Sequence, residues 1–123
     1  MPIITYRDLI VWKQGMHLVE ECYKITARFP KAELYGLTSQ LRRAAVSIPS
    51  NVAEGQCRKG KPYRAHVNIA VGSHGELETC LELGYRLGFI PLDDKTRVMN
   101  LCDSVGRLLS GLQRSLRKQL PSN

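Results

Sequence analysis

Four long stretches of this chain repeat apolar residues at the three-and-four spacing of an amphipathic helix, and no stretch alternates like a half-buried strand. The stretches cover about residues 6–28, 34–56, 62–87 and 94–119, and short turns separate them. Helices of this length joined by short turns pack as antiparallel neighbours. The pattern therefore predicts an all-α fold, an up-down-up-down antiparallel four-helix bundle that forms a single domain from residues 1–123.

Local signals mark where these helices begin and end. Thr5 and Asp8 form a capping-box pattern before the first helix, and Pro30 ends it. Pro49 lies inside the second helix, where a proline removes a main-chain donor and costs about 3 kcal/mol. Because the apolar stripe keeps its phase across Pro49, we expect a kink rather than two separate helices. A basic turn over 58–62 should then lead into the third helix, with Pro62 at its first position.

The third predicted helix contains three glycines and a histidine that need an explanation. Gly72, Gly75 and Gly84 each cost about 0.5–1 kcal/mol relative to alanine in a helix interior, so we expect close backbone approach at these positions. His74 lies on the apolar stripe, and we interpret it as a hydrogen-bonded core histidine rather than a metal ligand.

The first predicted helix carries two apolar seams, whereas a helix of an isolated bundle needs only one buried side. One seam consists of Leu9, Trp12, Met16, Val19 and Tyr23. The other lies about 130° around the helix, at about 100° per residue. We assign this second seam to a homo-oligomer interface, which consists of Ile4, Val11, Gly15, Leu18, Cys22 and Ile25.

The basic residues form two clusters in a chain whose net charge is +7. One cluster surrounds the turn between the second and third helices, and the other lies on the fourth helix away from its apolar stripe. Both suit phosphate contact, although a solvated surface that keeps the protein soluble is the alternative. The candidate nucleic-acid-binding residues are Arg58, Lys59, Lys61, Arg64, Arg107, Arg114, Arg117 and Lys118.

Arg43 and Glu54 share one side of the second helix, close to Asn51. They stand about 16 Å apart at 1.5 Å per residue, so they cannot pair with each other. Either they reach partners on other helices or chains, or they form a polar stripe that faces solvent. We favour structural pairing, with Glu76 and Glu78 as candidate partners, because half-buried charges need partners.

No catalytic or metal site is indicated. The sequence contains no Glu-x-x-His pair, phosphate-binding loop, dinucleotide fingerprint or nucleophile elbow. Glu82 lies four residues before Arg86, which favours a helical ion pair over acid-base chemistry. We therefore expect no enzyme activity, no cofactor, no metal and no small-molecule substrate. The four cysteines have no metal-ligand spacing and are interpreted as reduced thiols.

The compartment follows from two further features. The longest apolar runs are far shorter than the roughly 20 residues that a membrane helix needs. The first residues do not combine a basic segment with an apolar one, as an export signal does. We expect a cytoplasmic protein with no membrane association.

The central run from Gln40 to Gly55, Gln-Leu-Arg-Arg-Ala-Ala-Val-Ser-Ile-Pro-Ser-Asn-Val-Ala-Glu-Gly, closely resembles the bacterial four helix bundle proteins. These are also called ribosomal RNA intervening-sequence proteins. Segments 6–13, 29–30, 33–37, 69–73 and 76–78 fit as well, so the resemblance covers about 6–116. The chain departs from the family pattern at Val67-Asn68 and at His74-Gly75, changes that should leave the fold intact.

The resemblance implies a four-helix bundle that assembles as a ring-like homopentamer, without established enzyme activity or cofactor. Distant relatives include the accessory protein of diversity-generating retroelements, a basic pentamer thought to engage nucleic acid and a reverse transcriptase. We therefore expect a non-enzymatic homo-oligomer that binds RNA or DNA through a basic surface with little sequence specificity. The alternative is an oligomeric scaffold or adaptor that binds another protein and is only kept soluble by its charge.

Overall fold

The computed structural model describes residues 5–119 and places four long helices around one hydrophobic core. The helices are α1 (Ile10–Thr26), α2 (Leu37–Arg58), α3 (Gly60–Arg86) and α4 (Leu92–Gln119). Each helix packs against its neighbours in sequence, and α4 also packs against α1. The predicted up-down-up-down antiparallel bundle is therefore confirmed.

The chain enters α1 through a separate turn. Thr5 Oγ1 accepts a hydrogen bond from the main-chain N–H of Arg7, and Asp8 accepts one from the N–H of Thr5. These caps close a 3-10 turn over Tyr6–Asp8, after which Leu9 is extended with ψ 129°. The capping box is confirmed, but α1 begins only at Ile10, so the continuous helix predicted from residue 6 is wrong.

The two seams of α1 have the opposite roles from those predicted. Val11, Leu18, Cys22 and Ile25 are 0–5% exposed within a single chain, and Gly15 is buried beside them. The assignment of these residues to an oligomer interface is wrong, because core side chains cannot also be the surface that a partner covers. Ile4, the sixth member of that seam, lies outside the described residues. The other seam is the partly exposed one, with Leu9, Trp12, Met16, Val19 and Tyr23 all accessible.

α2 is one continuous helix of 22 residues that passes through Pro49. Pro49 is buried and packs against Gly15 of α1, where a Cβ atom would lie 3.5 Å from the proline Cβ. The split at Pro49 that we considered does not occur. The small residue on α1 leaves room for the proline ring at the centre of the α1–α2 contact.

α2 and α3 are joined by a single non-helical residue, Lys59. Its φ of 61° and ψ of 172° are rarely adopted by residues other than glycine. Gly55, one turn earlier, lets α3 approach closely, since a Cβ there would lie 3.2 Å from the Cα of Tyr63. The turn predicted over 58–62 is thus almost entirely helical, and Pro62 occupies the first turn of α3 rather than its first position.

The glycines of α3 divide into two kinds. A Cβ on Gly84 would lie 2.7 Å from the side chain of Ile90, so the predicted close approach is confirmed there. A Cβ on Gly72 or Gly75 would have no atom of residues 5–119 within 4 Å, and for these two positions the prediction is wrong within the described part of the single chain. Both glycines therefore lie on an open face of α3.

Candidate nucleic-acid interface

Hydrogen bonds between helices fix how neighbouring helices are aligned along the bundle. Between α2 and α3, the hydroxyl oxygens of Ser47 and Ser73 lie 2.7 Å apart. Between α3 and α4, the side-chain amide of Gln113 donates to Asn68 Oδ1 over 2.7 Å. Because these helices are antiparallel, the α2–α3 turn and the last turns of α4 lie at the same end of the bundle.

Charge is distributed very unequally along the bundle. We define the basic half as residues 5–17, 48–73 and 106–119. These residues contain the α2–α3 turn and the parts of α1 and α4 that lie at the same end of the bundle. This half holds ten of the 18 lysines and arginines but only two of the 11 acids, Asp8 and Glu54. The opposite half, 18–47 and 74–105, holds eight basic and nine acidic residues, so the net charge of +7 divides into +8 and −1.

The ion pairs of lysine and arginine lie in the opposite half. Arg28 pairs with Asp94 at 2.6 Å, and Arg86 and Lys95 share Glu82 at 2.8 and 3.2 Å. Within residues 5–119, no ion pair involves a lysine or arginine of the basic half. The positive charge of the basic half is therefore uncompensated and available to an external anion.

The eight basic residues predicted as a nucleic-acid site are all exposed, and the structure brings their two clusters together. One helical turn beyond the bond between Asn68 and Gln113, Arg64 of α3 lies level with Arg117 of α4. Arg107 lies about 10.5 Å along α4 from Arg114. It is therefore the member of the α4 cluster that lies farthest from the α2–α3 turn. The two clusters were predicted as separate, although the antiparallel order of the helices was a signal that could have joined them.

Two basic residues of this half were missed by the sequence analysis, Arg7 and Lys13. The Arg7 guanidinium lies 5.7 Å from the ring centroid of Tyr6 and 5.6 Å from that of Trp12. These two rings pack on each other at 5.2 Å. Cation–π contact therefore holds Arg7 at the start of the fold, on the same half as the predicted clusters.

A row of polar contacts follows the α2–α3 groove. His66 Nδ1 lies 2.8 Å from Asn51 Oδ1 and 3.5 Å from a carboxylate oxygen of Glu54. Glu76, further along, accepts a hydrogen bond from Gln40 over 3.4 Å. Asn51 and Glu54 thus have partners on α3, as structural pairing requires, but the partner is a histidine that the sequence analysis did not name.

Arg43 departs from its predicted role. It is exposed and forms no ion pair within residues 5–119, so its predicted pairing with Glu76 or Glu78 in the same chain is wrong. Glu78 lies 3.5 Å from His74 instead. The Arg43 side chain borders a polar surface cleft of about 500 Å³ in the opposite half.

His74 is hydrogen-bonded, as predicted. Its Nε2 lies 2.7 Å from the carbonyl oxygen of Cys102, to which it donates, and its side chain is 15% exposed. A Cβ on Gly106 would lie 2.7 Å from the imidazole ring. The glycine therefore lets the ring lie flat against α4 and link the two helices.

The titratable groups with shifted pKa values are explained by burial and ion pairing. Burial raises the pKa of the Cys22 thiol to about 12 and also raises that of Cys102, so both thiols stay protonated at neutral pH. Hydrogen bonds from Arg97 and then Lys24 lower the pKa of Glu21. These pKa shifts arise from the burial of core thiols and from a salt bridge. None of these three groups lies in the basic half.

Residues 5–119 contain no group of three or more histidine, cysteine, aspartate or glutamate side chains placed to hold a metal ion. In the same residues, no helix combines the length and the apolar character needed to cross a membrane.

The comparison with known proteins gives one positive finding. The model of the 23S rRNA-intervening sequence protein family matches residues 7–111, which include α1, α2, α3 and the larger part of α4. A search of curated proteins found no match. Because the match extends over most of the chain, this protein belongs to the 23S rRNA-intervening sequence protein family.

Proposed function

We propose that this protein is a non-enzymatic, self-associating helical bundle that binds RNA or DNA through its basic half with little sequence specificity. The observation that carries the proposal is the division of charge into +8 and −1 between the two halves. Phosphate groups are the ligands to which such an array of guanidinium and ammonium groups is complementary. Contacts to phosphates carry no direct sequence information, which accounts for low specificity.

Salt dependence is the measurement that tests this proposal. Fluorescence anisotropy of labelled RNA and DNA is titrated with the protein at several salt concentrations. Binding through 6–10 phosphate contacts should weaken by about 10³–10⁵-fold between 50 and 200 mM salt. An absence of binding at low salt would overturn the proposal and leave the charge as a determinant of solubility.

A matched pair of variants locates the binding surface. Arg114→Glu with Arg117→Glu changes two exposed cations of the basic half, and Lys31→Glu with Arg43→Glu changes two of the opposite half. The net charge change is the same in both. We expect the first pair to lose at least tenfold more affinity than the second; equal losses would mean that only total charge matters.

Self-association is proposed on a different surface from the one assigned by sequence. Met16 on α1 and Val46 on α2 are 41% and 39% exposed, and with Trp12 and Val19 they line an open apolar cleft of about 360 Å³. Contiguous exposed apolar surface is typical of protein–protein contact. We propose that copies of the chain associate through this face, as the homopentamer that the family resemblance implies.

The same face also supports the second candidate function, a scaffold or adaptor that binds another protein. In that case the cleft around Met16 is covered by the partner, and nucleic-acid binding is incidental. A purified protein that is oligomeric by light scattering but binds no nucleic acid at low salt would favour this alternative.

We place this function in the cytoplasm. The four cysteines form no disulfide, and Cys22, Cys80 and Cys102 are buried thiols of the core. Reduced core thiols are typical of proteins that work in a reducing compartment. Fractionation of cells that produce the protein tests this placement.

A further inference from the structure

An open groove between α3 and α4 lies at the margin of the basic half. It has a volume of about 450 Å³ and belongs to neither the core nor the α2–α3 polar row. Two arginines, an aspartate, a serine and a histidine supply its polar side chains. The residues that matter here are His74 on α3 and Asp103, Arg107, Ser110 and Arg114 on α4.

The floor of the groove is held in place by His74 and Gly106. The imidazole ring lies so close to Gly106 that a Cβ there would be 2.7 Å from it, and its Nε2 donates to the Cys102 carbonyl. Any larger residue at position 106 would displace the ring. The groove is therefore a fixed feature of the α3–α4 contact rather than a gap between mobile side chains.

The charge of the groove is arranged along α4. Arg107 and Arg114 are seven residues apart, so they project from the same side of the helix about 10.5 Å from each other. Both are exposed, and neither forms an ion pair within residues 5–119. Ser110 lies between them, and Asp103 lies at the end of the groove away from the basic half.

We propose that this groove holds the sugar-phosphate backbone of a double-stranded nucleic acid, an inference that rests on the function proposed above. Arg107 and Arg114 each contact a phosphate, and the Ser110 hydroxyl donates a hydrogen bond to a phosphate oxygen between them. Among the described residues that line the groove there is no phenylalanine, tyrosine or tryptophan, so these residues offer unpaired bases no aromatic ring on which to stack. A duplex, whose bases face inward and whose phosphates face outward, matches this lining.

The form of the nucleic acid is tested by competition. Unlabelled duplex RNA, duplex DNA and single-stranded RNA, each about 20 nucleotides per strand, compete with a labelled RNA duplex for the wild-type protein. We expect either or both duplexes to compete about tenfold better than the single strand at equal phosphate concentration. Equal or better competition by the single strand would overturn the duplex assignment.

The groove itself is tested by the slope of log K against log salt. Each neutralised duplex phosphate contributes about 0.9 to this slope, so Arg107→Gln with Arg114→Gln should reduce it by about 1.8. Asp103→Asn should act in the opposite direction and tighten binding a few fold, because it removes the one acid among the described residues that line the groove. Lys31→Gln with Arg43→Gln, which removes two exposed cations of the opposite half, serves as the matched control and should leave the slope unchanged.

The outcomes separate this inference from the proposed function. If wild-type protein binds no nucleic acid at low salt, both fail. If it binds, and Lys59→Gln with Lys61→Gln reduces the slope while the Arg107 and Arg114 variant does not, only the groove is wrong. Circular dichroism of each variant confirms that these surface substitutions leave the helices folded.

Discussion

Gln113 and Asn68 form a 2.7 Å hydrogen bond that ties the C-terminal part of α4 to the first half of α3. Arg64 precedes Asn68 by four residues, and Arg117 follows Gln113 by four, so each cation shares a helix face with one end of this bond. Arg64 and Arg117 therefore lie level with each other on neighbouring helices. Two neighbouring positive charges favour the binding of a polyanion. In the free protein they repel each other, so they lower its stability.

Relief of this repulsion should stabilise the free protein at low salt. Arg117→Gln is expected to raise the free energy of unfolding by a few tenths of a kcal/mol at about 10 mM salt, and the gain should vanish near 1 M salt. Thermal unfolding at the two salt concentrations measures it. Arg86→Gln is the control, since Arg86 pairs with Glu82 and should give no gain. A gain of equal size at both salt concentrations would contradict the electrostatic explanation.

The second prediction concerns backbone strain at Lys59, the single residue that connects α2 and α3. Lys59 has a φ of 61° and a ψ of 172°, a conformation that costs a non-glycine residue about 1–3 kcal/mol. Lys59→Gly should raise the free energy of unfolding by about 1 kcal/mol while weakening nucleic-acid binding, because it removes a cation. Lys61→Gly removes the same charge within the helix and should lower stability by about as much. Urea denaturation that shows both variants destabilised would refute strain at Lys59.

The glycines of the α2–α3 hairpin should respond oppositely to alanine. At Gly55, a Cβ would meet the Cβ of His66 and Cδ1 of Tyr63 at 2.9 Å, so Gly55→Ala should cost about 1–3 kcal/mol by overpacking. At Gly72, an added Cβ would have no neighbour within 4 Å, so Gly72→Ala should gain about 0.5–1 kcal/mol from helix propensity. Chemical denaturation compares the two. Loss of stability in Gly72→Ala at concentrations where the protein is oligomeric would show that another copy covers this face.

Charged substitutions in the two seams of α1 should have different effects on folding and self-association. Val11→Glu with Leu18→Glu places two carboxylates in the core, and should unfold the chain rather than yield a folded monomer. Met16→Glu with Val46→Glu changes partly exposed positions, and should leave a helical protein that no longer self-associates. Circular dichroism and light scattering on both variants distinguish the outcomes. An unchanged mass for the second variant would remove the proposed interface.

The sequence was sufficient for the fold because each helix is long and its apolar spacing regular. It was insufficient for the roles of the two α1 seams, since periodicity shows that two sides are apolar but not which one faces the core. That choice depends on packing partners such as Pro49, whose ring fits against Gly15. The candidate site was predicted as residues but not as one surface, because joining Arg64 to Arg117 requires the alignment of α3 with α4.

The buried carboxylate of Glu21 gives the bundle a pH dependence whose sign can be derived. Glu21 accepts hydrogen bonds from Arg97 of α4 and from Lys24, and these bonds hold its pKa below the ordinary value of 4.5. A carboxyl group with a lower pKa in the folded chain contributes stability that is fully present above the unfolded pKa. That contribution is lost as the pH falls through the folded pKa.

Glu21→Gln should therefore be most harmful at neutral pH. We expect it to lower the free energy of unfolding by about 1.5–3 kcal/mol at pH 7, since it breaks charged hydrogen bonds and leaves Arg97 without this partner. As the pH falls from 4.5 through the lowered pKa of folded Glu21, the carboxylate becomes protonated and the difference between the two proteins should shrink. Urea denaturation at several pH values between 7 and 3 measures this difference. Glu20→Gln alters an exposed neighbour and should show little effect at any pH, whereas a pH-independent loss in Glu21→Gln would mean that packing, not charge, is responsible.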